Sequence, residues 1–296
     1  MALNKRQSLG DNIFDGVVLL FGFCLFVVMI YPLYFVIIAS FSDPSAVNSG
    51  RVWLLPSHIN LEGYKRVLAD ERVWRGYRNT ILYTIFGTFI SLLFTLPAAY
   101  SLSRKDLVGR NAIMMYFVFT MFFSGGLIPT YLTISNFRLN NTFWVLLVPF
   151  SVSAYNLIIA RTFFASSIPQ ELLEAATIDG CSNTRFFVSV VLPLSKAIIA
   201  VIGLYCAVGQ WNQFFLSLIY VRNISLQPLQ MVLRNILLQN QISALSTVSV
   251  NQNELQRVAD VMKYSMIIIS TAPVMCFYPF IQKYFAKGVM IGAVKG

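Results

Sequence analysis

Long apolar runs alternate with short polar segments along the 296 residues. Six runs approach the roughly 20 apolar residues that a helix needs to cross a bilayer. They extend from Ile13 to Ala39, Ile81 to Leu102, Ala112 to Ile134, Thr142 to Ala160, Ala197 to Ile219 and Val261 to Ile281. None alternates apolar with polar as a barrel strand would, and an open sheet cannot leave its backbone unpaired in hydrocarbon. The pattern predicts an all-α integral membrane protein, a bundle of six transmembrane helices. The first run is too long for the apolar part of a cleaved signal peptide, and no small-residue cleavage site follows it.

Composition agrees. Apolar residues make up 57% of the chain and charged residues 11%, and the mean hydropathy is +0.67. Soluble domains carry about 25% charged residues, so this chain cannot build a water-facing surface and a soluble enzyme is excluded. The net charge of +10 comes from 22 basic residues dispersed over loops and tails without a patch, which gives nucleic acid no docking site. Cys24, Cys181, Cys206 and Cys276 show neither metal nor redox spacing and are expected as free thiols. With His58 the only histidine, no metal site is expected.

The charge map narrows the function. None of the 12 acidic residues lies in the middle of a run, and no Lys or Arg does either. Ion-coupled transporters and membrane enzymes that hold metal between carboxylates place ionisable groups inside the membrane. No GxxxxGK[ST] phosphate loop is present, so nucleotide chemistry would belong to a partner, and no catalytic residue is expected here. Orientation is less clear from charge. With the amino terminus inside, Lys5, Arg6, Arg104, Lys105, Arg110, Arg161, Arg185, Lys196, Lys283, Lys287 and Lys295 lie inside, which is half of the 22. The first helix usually dominates, and Lys5 and Arg6 precede it, which places both termini in the cytoplasm.

The most informative segment is 162–196, too polar to span. Ser167 with Gln170 three residues on reads as a capping box, Pro169 suits a first turn, and Gly180 is a natural stop. A helix of about ten residues is expected there, with a second short helix from near Asn183 ending before Pro193. The pair would project into the cytoplasm. Glu174 offers an acceptor for a partner's Arg, and Ala175 and Ala176 would let the helix enter a tight groove. An ordinary amphipathic loop fits the same residues.

The spacing Glu174-Ala175-Ala176, three residues, Gly180, nine residues, Val190, one residue, Leu192-Pro193 resembles the EAA loop of ABC-importer permeases. The one departure is Val190 where the family has Ile. The resemblance implies a type I permease fold and a coupling helix that docks on an ATPase subunit. In it Glu174 meets a basic residue, Ala175 and Ala176 enter the cleft, Asp179 and Gly180 form the turn, and Leu192 and Pro193 complete the motif. It also implies a cytoplasmic side for the loop. The spans from about Arg78 to Phe285 are similar to the shared permease core. Three stretches resemble the carbohydrate-uptake branch that includes the maltose and complex-oligosaccharide permeases. They are Ser124 through Tyr131, Trp211-Asn212-Gln213-Phe214, and the tail from Tyr278-Pro279 through Gly288 to Lys295-Gly296.

One permease domain is expected over 1–296. Residues 1–76 would form the first helix and outer loop, and 77–285 the core with its cytoplasmic coupling segment 162–196. The partners implied by the resemblance are a second permease in a heterodimer, two ATPase subunits that bind ATP and Mg, and an extracellular solute-binding protein. The location implied is a multi-pass position in a bacterial plasma membrane, surrounded by lipid. The cargo implied is an oligosaccharide moved by alternating access. A permease for another solute, such as an amino acid or phosphonate, stays open, as does a membrane enzyme or lipid-handling protein.

A sugar path needs amides, hydroxyls and aromatic platforms rather than charge. The candidates are Ser124, Tyr131, Ser151, Tyr155, Asn156, Gln210, Trp211 and Asn212. Gly203, Cys206, Gln210 and Gln213 share one face of the fifth span. Helix packing is the competing role, because small and amide residues also hold helices together in lipid. Gly125, Gly126 and Pro129 loosen the third span and suggest a gate. The loops 42–80 and about 220–260 are too long for idle linkers. The second carries Gln239-Asn240-Gln241 and Asn251-Gln252-Asn253, and the resemblance implies that it reaches toward the cargo of the docked binding protein. In the maltose importer the sugar contacts come from the partner permease.

Overall fold

Helices form over most of the apolar runs, because a chain in hydrocarbon must satisfy its backbone groups within each segment. The computed structural model describes the backbone of residues 9–246 and 257–276. It forms two compact units. One holds the chain up to Ala69 with Ile236–Thr271, and the other holds Asp70–Asn235 with the chain from Ala272.

In the first unit, α1 (Leu9–Ser40) leaves Ile13 through Ile30 exposed on every side. Apolar surface on this scale needs lipid or another apolar protein to cover it. Only its end enters a core, where Ile38 and Ala39 pack with Ala46, Val47 and Val52 against Phe35 and Tyr264. The loop after it folds into α2 (Pro44–Asn48) and α3 (Glu62–Ala69). Asp43 caps α2 by accepting from the Ser45 amide at 2.9 Å, and the Ser45 hydroxyl holds its carboxyl below the ordinary value. α3 lies on the final helix, Arg257–Cys276, at Gly63, where an added Cβ would stand 2.4 Å from the Val261 carbonyl. Ion pairs fix the register. Glu62 takes Arg66 at 2.6 Å and Arg257 at 3.3 Å, while Asn48 donates to Asp260 at 2.7 Å.

The second unit is built around α4 (Glu71–Ser103), capped by Asp70, which accepts from the Arg72 amide at 2.9 Å. α4 begins ten residues before the predicted span. Its buried stripe includes Val73, Gly76, Thr80, Tyr83, Gly87, Ser91, Thr95 and Ala99. Mostly small side chains at helical spacing let neighbouring helices approach closely, which is how helices associate in lipid. Toward its amino-terminal end the stripe is covered by the segment after residue 220. Asn79 donates to the Ser225 and Gln227 carbonyls at 2.7 and 3.0 Å, Tyr83 to the Leu226 carbonyl at 2.8 Å, and the Leu229 amide to Thr80 at 2.8 Å.

The remaining helices are more broken than the apolar runs suggest. α5 (Arg110–Phe122) and α6 (Leu127–Asn136) meet at 117°. Gly126 stands between them at φ +85°, a conformation that costs glycine little and other residues more. The third span is therefore broken there rather than loosened. The fourth does not run from Thr142 to Ala160. A 3-10 turn, Phe143–Leu146, is followed by an irregular stretch through Pro149, and α7 occupies Ala154–Ser167. Pro149 disfavours helix at Val148 and lacks a donor of its own. α8 (Gln170–Ile178), α9 (Asn183–Phe186) and α10 (Leu192–Leu194) follow. The fifth span stops at the end of α11 (Lys196–Trp211) and resumes as α12 (Phe215–Tyr220). Among the described residues, three helices are long and apolar enough to cross a membrane, and five if each bent pair counts as one. α13 (Leu229–Ser246) is a helix where a polar loop was expected.

The inner core of this unit joins Leu96, Ala99, Tyr100 and Leu102 of α4 to Leu157, Ala160 and Phe164 of α7, with Phe186, Val191, Ile198 and Ile202. All four cysteines are free thiols.

Candidate coupling loop and translocation path

The expected capping box does not form. Ser167 ends α7, and Pro169 stands at the cap of α8 without a side-chain hydrogen bond. Gln170 instead turns along the helix and donates to Glu174 Oε1 at 2.9 Å. An i,i+4 pair on one face competes with the reach back to the cap. The stop is as expected. Gly180 sits at φ +70°, the Cys181 amide donates to the Ala176 carbonyl at 2.9 Å, and the Gly180 amide to the Thr177 carbonyl at 3.0 Å. This is a Schellman motif, which satisfies the last carbonyls and turns the chain back.

α8 is placed by its inner line alone. Leu173 and Ala176 pack on the inner core, and no residue of α8 is fully buried. Its outer face presents Leu172, Glu174, Ala175, Ile178 and Asp179 to solvent, with Ile178 87% exposed.

Ser182 caps the second helix by accepting from the Arg185 amide at 3.3 Å. That helix does not end before Pro193. A π turn, Phe187–Val191, carries the chain into α10. The wider turn accommodates the missing N–H and the ring of Pro193. Leu192 joins the inner core, and Pro193 is exposed.

Sequence reading missed what holds this segment to the bundle. Phe186 is buried. Phe187 lies 5.3 Å from the Tyr100 ring, which also meets Phe164 edge-on at 5.8 Å. Arg104, just past the end of α4, donates to Asn183 Oδ1 at 2.7 Å and to Asp106 at 2.9 Å. Arg110 donates to the Arg104 carbonyl at 2.9 Å, and Arg161 to the Leu102 carbonyl at 3.1 Å. The Arg104 hydrogen bond holds the Asp106 carboxyl below its ordinary value. The pair is therefore complete above the usual carboxylate range and is lost as pH falls through that lowered value. Arginines next to a predicted loop were the only signal in the sequence.

The path candidates divide. Gln210 packs on α4 at Gly87, where an added Cβ would meet its side chain at 2.6 Å. Its amide reaches the Leu146 carbonyl at 3.4 Å, and its Oε1 is buried without a hydrogen-bond partner. Gly203 faces Leu92 and Thr88, and Cys206 meets Ser91 and accepts from Asn156 at 3.6 Å. The face of α11 that carries Gly203, Cys206 and Gln210 thus lies against α4. Trp211 is 8% exposed and 6.4 Å from Tyr77. Ser151 is buried on the Val148 carbonyl at 2.9 Å, and Tyr131 stacks on Tyr220 at 5.8 Å. Ser124, Tyr155 and Asn212 are exposed. With the exposed positions placed on a hydrated path rather than toward lipid, thiol labelling should rank cysteines at Tyr155 and Asn212 well above those at Asn156 and Gln210. Equal labelling by a water-soluble reagent, or none at Tyr155 and Asn212 in resting and ATP-trapped states, would refute that placement.

Gln239 is exposed at the end of the described part of α13. The side chains of Asn240 and Gln241, the 251–253 amides and the 278–296 tail lie outside the described residues, as do Lys5 and Arg6.

Residues 73–291 match the family described as the binding-protein-dependent transport system inner membrane component. The chain is 38% identical over 291 residues to Protein LplC of Bacillus subtilis (strain 168), covering 98% of each chain. It is 36% identical over 293 residues to the polygalacturonan/rhamnogalacturonan transport system permease protein YtcP of the same organism, covering 97% of this chain and 99% of that one. Its fold matches a chain of a bacterial ABC transporter involved in the import of the acidic polysaccharide alginate. The TM-score there is 0.82 with 33% identity, over 94% of this chain and 99% of that one.

Proposed function

The chain belongs to the family of inner membrane components of binding-protein-dependent transport systems, and from that premise we propose that it imports oligosaccharides. It is a multi-pass membrane permease of the type I fold, a transport subunit and not an enzyme. The observation that carries the cargo class is near-full-length likeness to a permease named for polygalacturonan and rhamnogalacturonan and to a chain of an ABC transporter involved in the import of alginate. In this reading residues 1–296 form one permease domain, pair with a different permease, and receive cargo from an extracellular binding protein. Two ATPase subunits bind ATP and Mg. Both termini and segment 162–196 face the cytoplasm.

In this mechanism ATP closes the ATPase dimer, and α8 carries the movement into the membrane. Glu174 accepts from a basic residue of the ATPase while Ala175 enters its cleft; Ala176, expected beside it, packs instead on the chain's own core. Asp179 and Gly180 keep the turn tight, and Leu192 and Pro193 return the chain to α11. Access to the sugar path then alternates between the two sides, with Ser124, Tyr155 and Asn212 as the exposed path candidates of this subunit. The absence of ionisable residues in the middle of the apolar runs leaves no carrier for a coupling ion.

The test uses the complete complex in vesicles supplied with ATP. Oligosaccharides of uronic acids or neutral sugars, offered with the binding protein, should stimulate ATP hydrolysis and accumulate. Accumulation should persist when ionophores collapse proton and sodium gradients. Stimulation by an amino acid or phosphonate and by no sugar would overturn the cargo. Loss of uptake on collapsing the gradients, with ATP present, would overturn the energy source.

A further inference from the structure

The guanidinium of Arg104 joins three parts of the protein at the end of α4. It stands beside Tyr100 on α4 itself. Its Nε reaches Asp106 in the following loop at 2.9 Å. Its Nη1 reaches Asn183, the first residue of α9, at 2.7 Å across 79 positions of sequence. The backbone of Arg104 is held too, since its carbonyl accepts from Arg110 at the start of α5. Beside this fork the Tyr100 ring lies against Phe187. The Asn183 side chain is exposed, while the buried Phe186 and the ring of Phe187 hold the same stretch by apolar packing, so the hydrogen bond from Arg104 is the directional contact there.

We propose that Arg104 is a positioning residue that latches the coupling segment to α4, so that movement of α8 and α9 is delivered to the central helix of the unit. The inference rests on the reading of 162–196 as the coupling segment. α8 is held by Leu173 and Ala176, an apolar contact that resists separation but can slide. Apolar contact is non-directional, whereas the planar fork of an arginine fixes geometry. The hydrogen bond to Asn183 converts a sliding contact into a fixed one. α4 in turn carries the buried stripe on which α11 packs through Gly87, Ser91 and Thr88. A pull on Asn183 thus reaches the α4–α11 seam without passing through α10.

A simpler role for Arg104 is to stabilise the end of α4, where a positive charge favours the helix dipole. The two roles separate in Arg104→Lys, which keeps the charge and loses the fork. They separate again in Asn183→Ala, which leaves the helix end untouched.

The experiment uses the complete complex in vesicles and reads sugar uptake and ATP hydrolysis in the same sample. Arg104→Lys and Asn183→Ala should each lower the uptake obtained per ATP about tenfold, the scale of one hydrogen bond to a charged group, with ATP hydrolysis preserved. Asn183→Asp, which retains an acceptor for Arg104, should keep the wild-type ratio. An unchanged ratio in Asn183→Ala overturns the latch, as does a parallel fall of both activities. Should Arg104→Lys fail to assemble, Asn183→Ala decides alone, since its side chain is exposed. Glu174→Lys in parallel tests the coupling reading itself. If it uncouples the complex while the other two do not, only the latch falls. If it leaves both activities intact, the coupling reading falls with it.

Discussion

Glu174→Lys should reduce ATP-driven uptake about a hundredfold, the scale of reversing one charge in a desolvated contact between proteins, with membrane insertion unchanged. The carboxylate stands on the exposed face of α8 and its one internal partner is Gln170, so the substitution disturbs nothing in the chain's own core. Glu174→Gln should retain part of the activity, because the amide still accepts a hydrogen bond. Gly180→Leu tests the other half of the loop. At φ +70° a β-carbon costs about 1–2 kcal/mol, although nothing lies within 4 Å of the position it would take. The loss should therefore appear as a loosened turn and weaker ATPase stimulation, with normal abundance in the membrane. Wild-type uptake in both Glu174→Lys and Gly180→Leu would sink the coupling role.

Gly63→Val should destabilise the first unit by about 3 kcal/mol, the upper part of the range for overpacking. A Cβ there would stand 2.4 Å from both the Val261 carbonyl and Ser265 Oγ, and 3.0 Å from a Val261 methyl. A backbone carbonyl inside a helix cannot swing away as a side-chain tip can, so α3 would have to lift off the final helix. Gly16→Val on α1 is the control, because nothing lies within 4 Å of that position. The thermal midpoint of the protein in detergent should fall for Gly63→Val and hold for Gly16→Val. Equal midpoints would show that α3 does not rest on the final helix through Gly63. Gly87→Ala should fall between them, since the atoms it meets belong to the Gln210 side chain, which has some freedom to turn.

The order of residues was enough to establish a helical membrane protein, because runs of apolar residues without charge admit few other backbone solutions in lipid. It was enough for the end of α8 too, where Gly180 supplies a conformation that costs other residues energy, and for the spacing from Glu174 to Pro193 on which the proposed coupling role rests. These are local properties, readable within a few turns of chain. Chain continuity through the spans was not readable. Hydropathy counts apolar residues equally in a straight helix, in the 3-10 turn Phe143–Leu146 and on both sides of the bend at Gly126, although Pro149 and the paired glycines marked the breaks.

The purpose of each polar residue in the spans emerged only from the folded chain. Gln210 and Asn212 are two positions apart and chemically alike, yet one lies on Gly87 of α4 and the other is exposed. Cys206 and Asn156 find each other between α11 and α7, and Asn79, Thr80 and Tyr83 hold the segment after residue 220. Arg104 meets Asn183 only when the ends of α4 and α9 converge. The physical reason is common to all of them. In a membrane the same small and amide side chains satisfy a neighbouring helix or a hydrated cavity, so their type records that a partner is needed, and only the packing of the helices supplies which one.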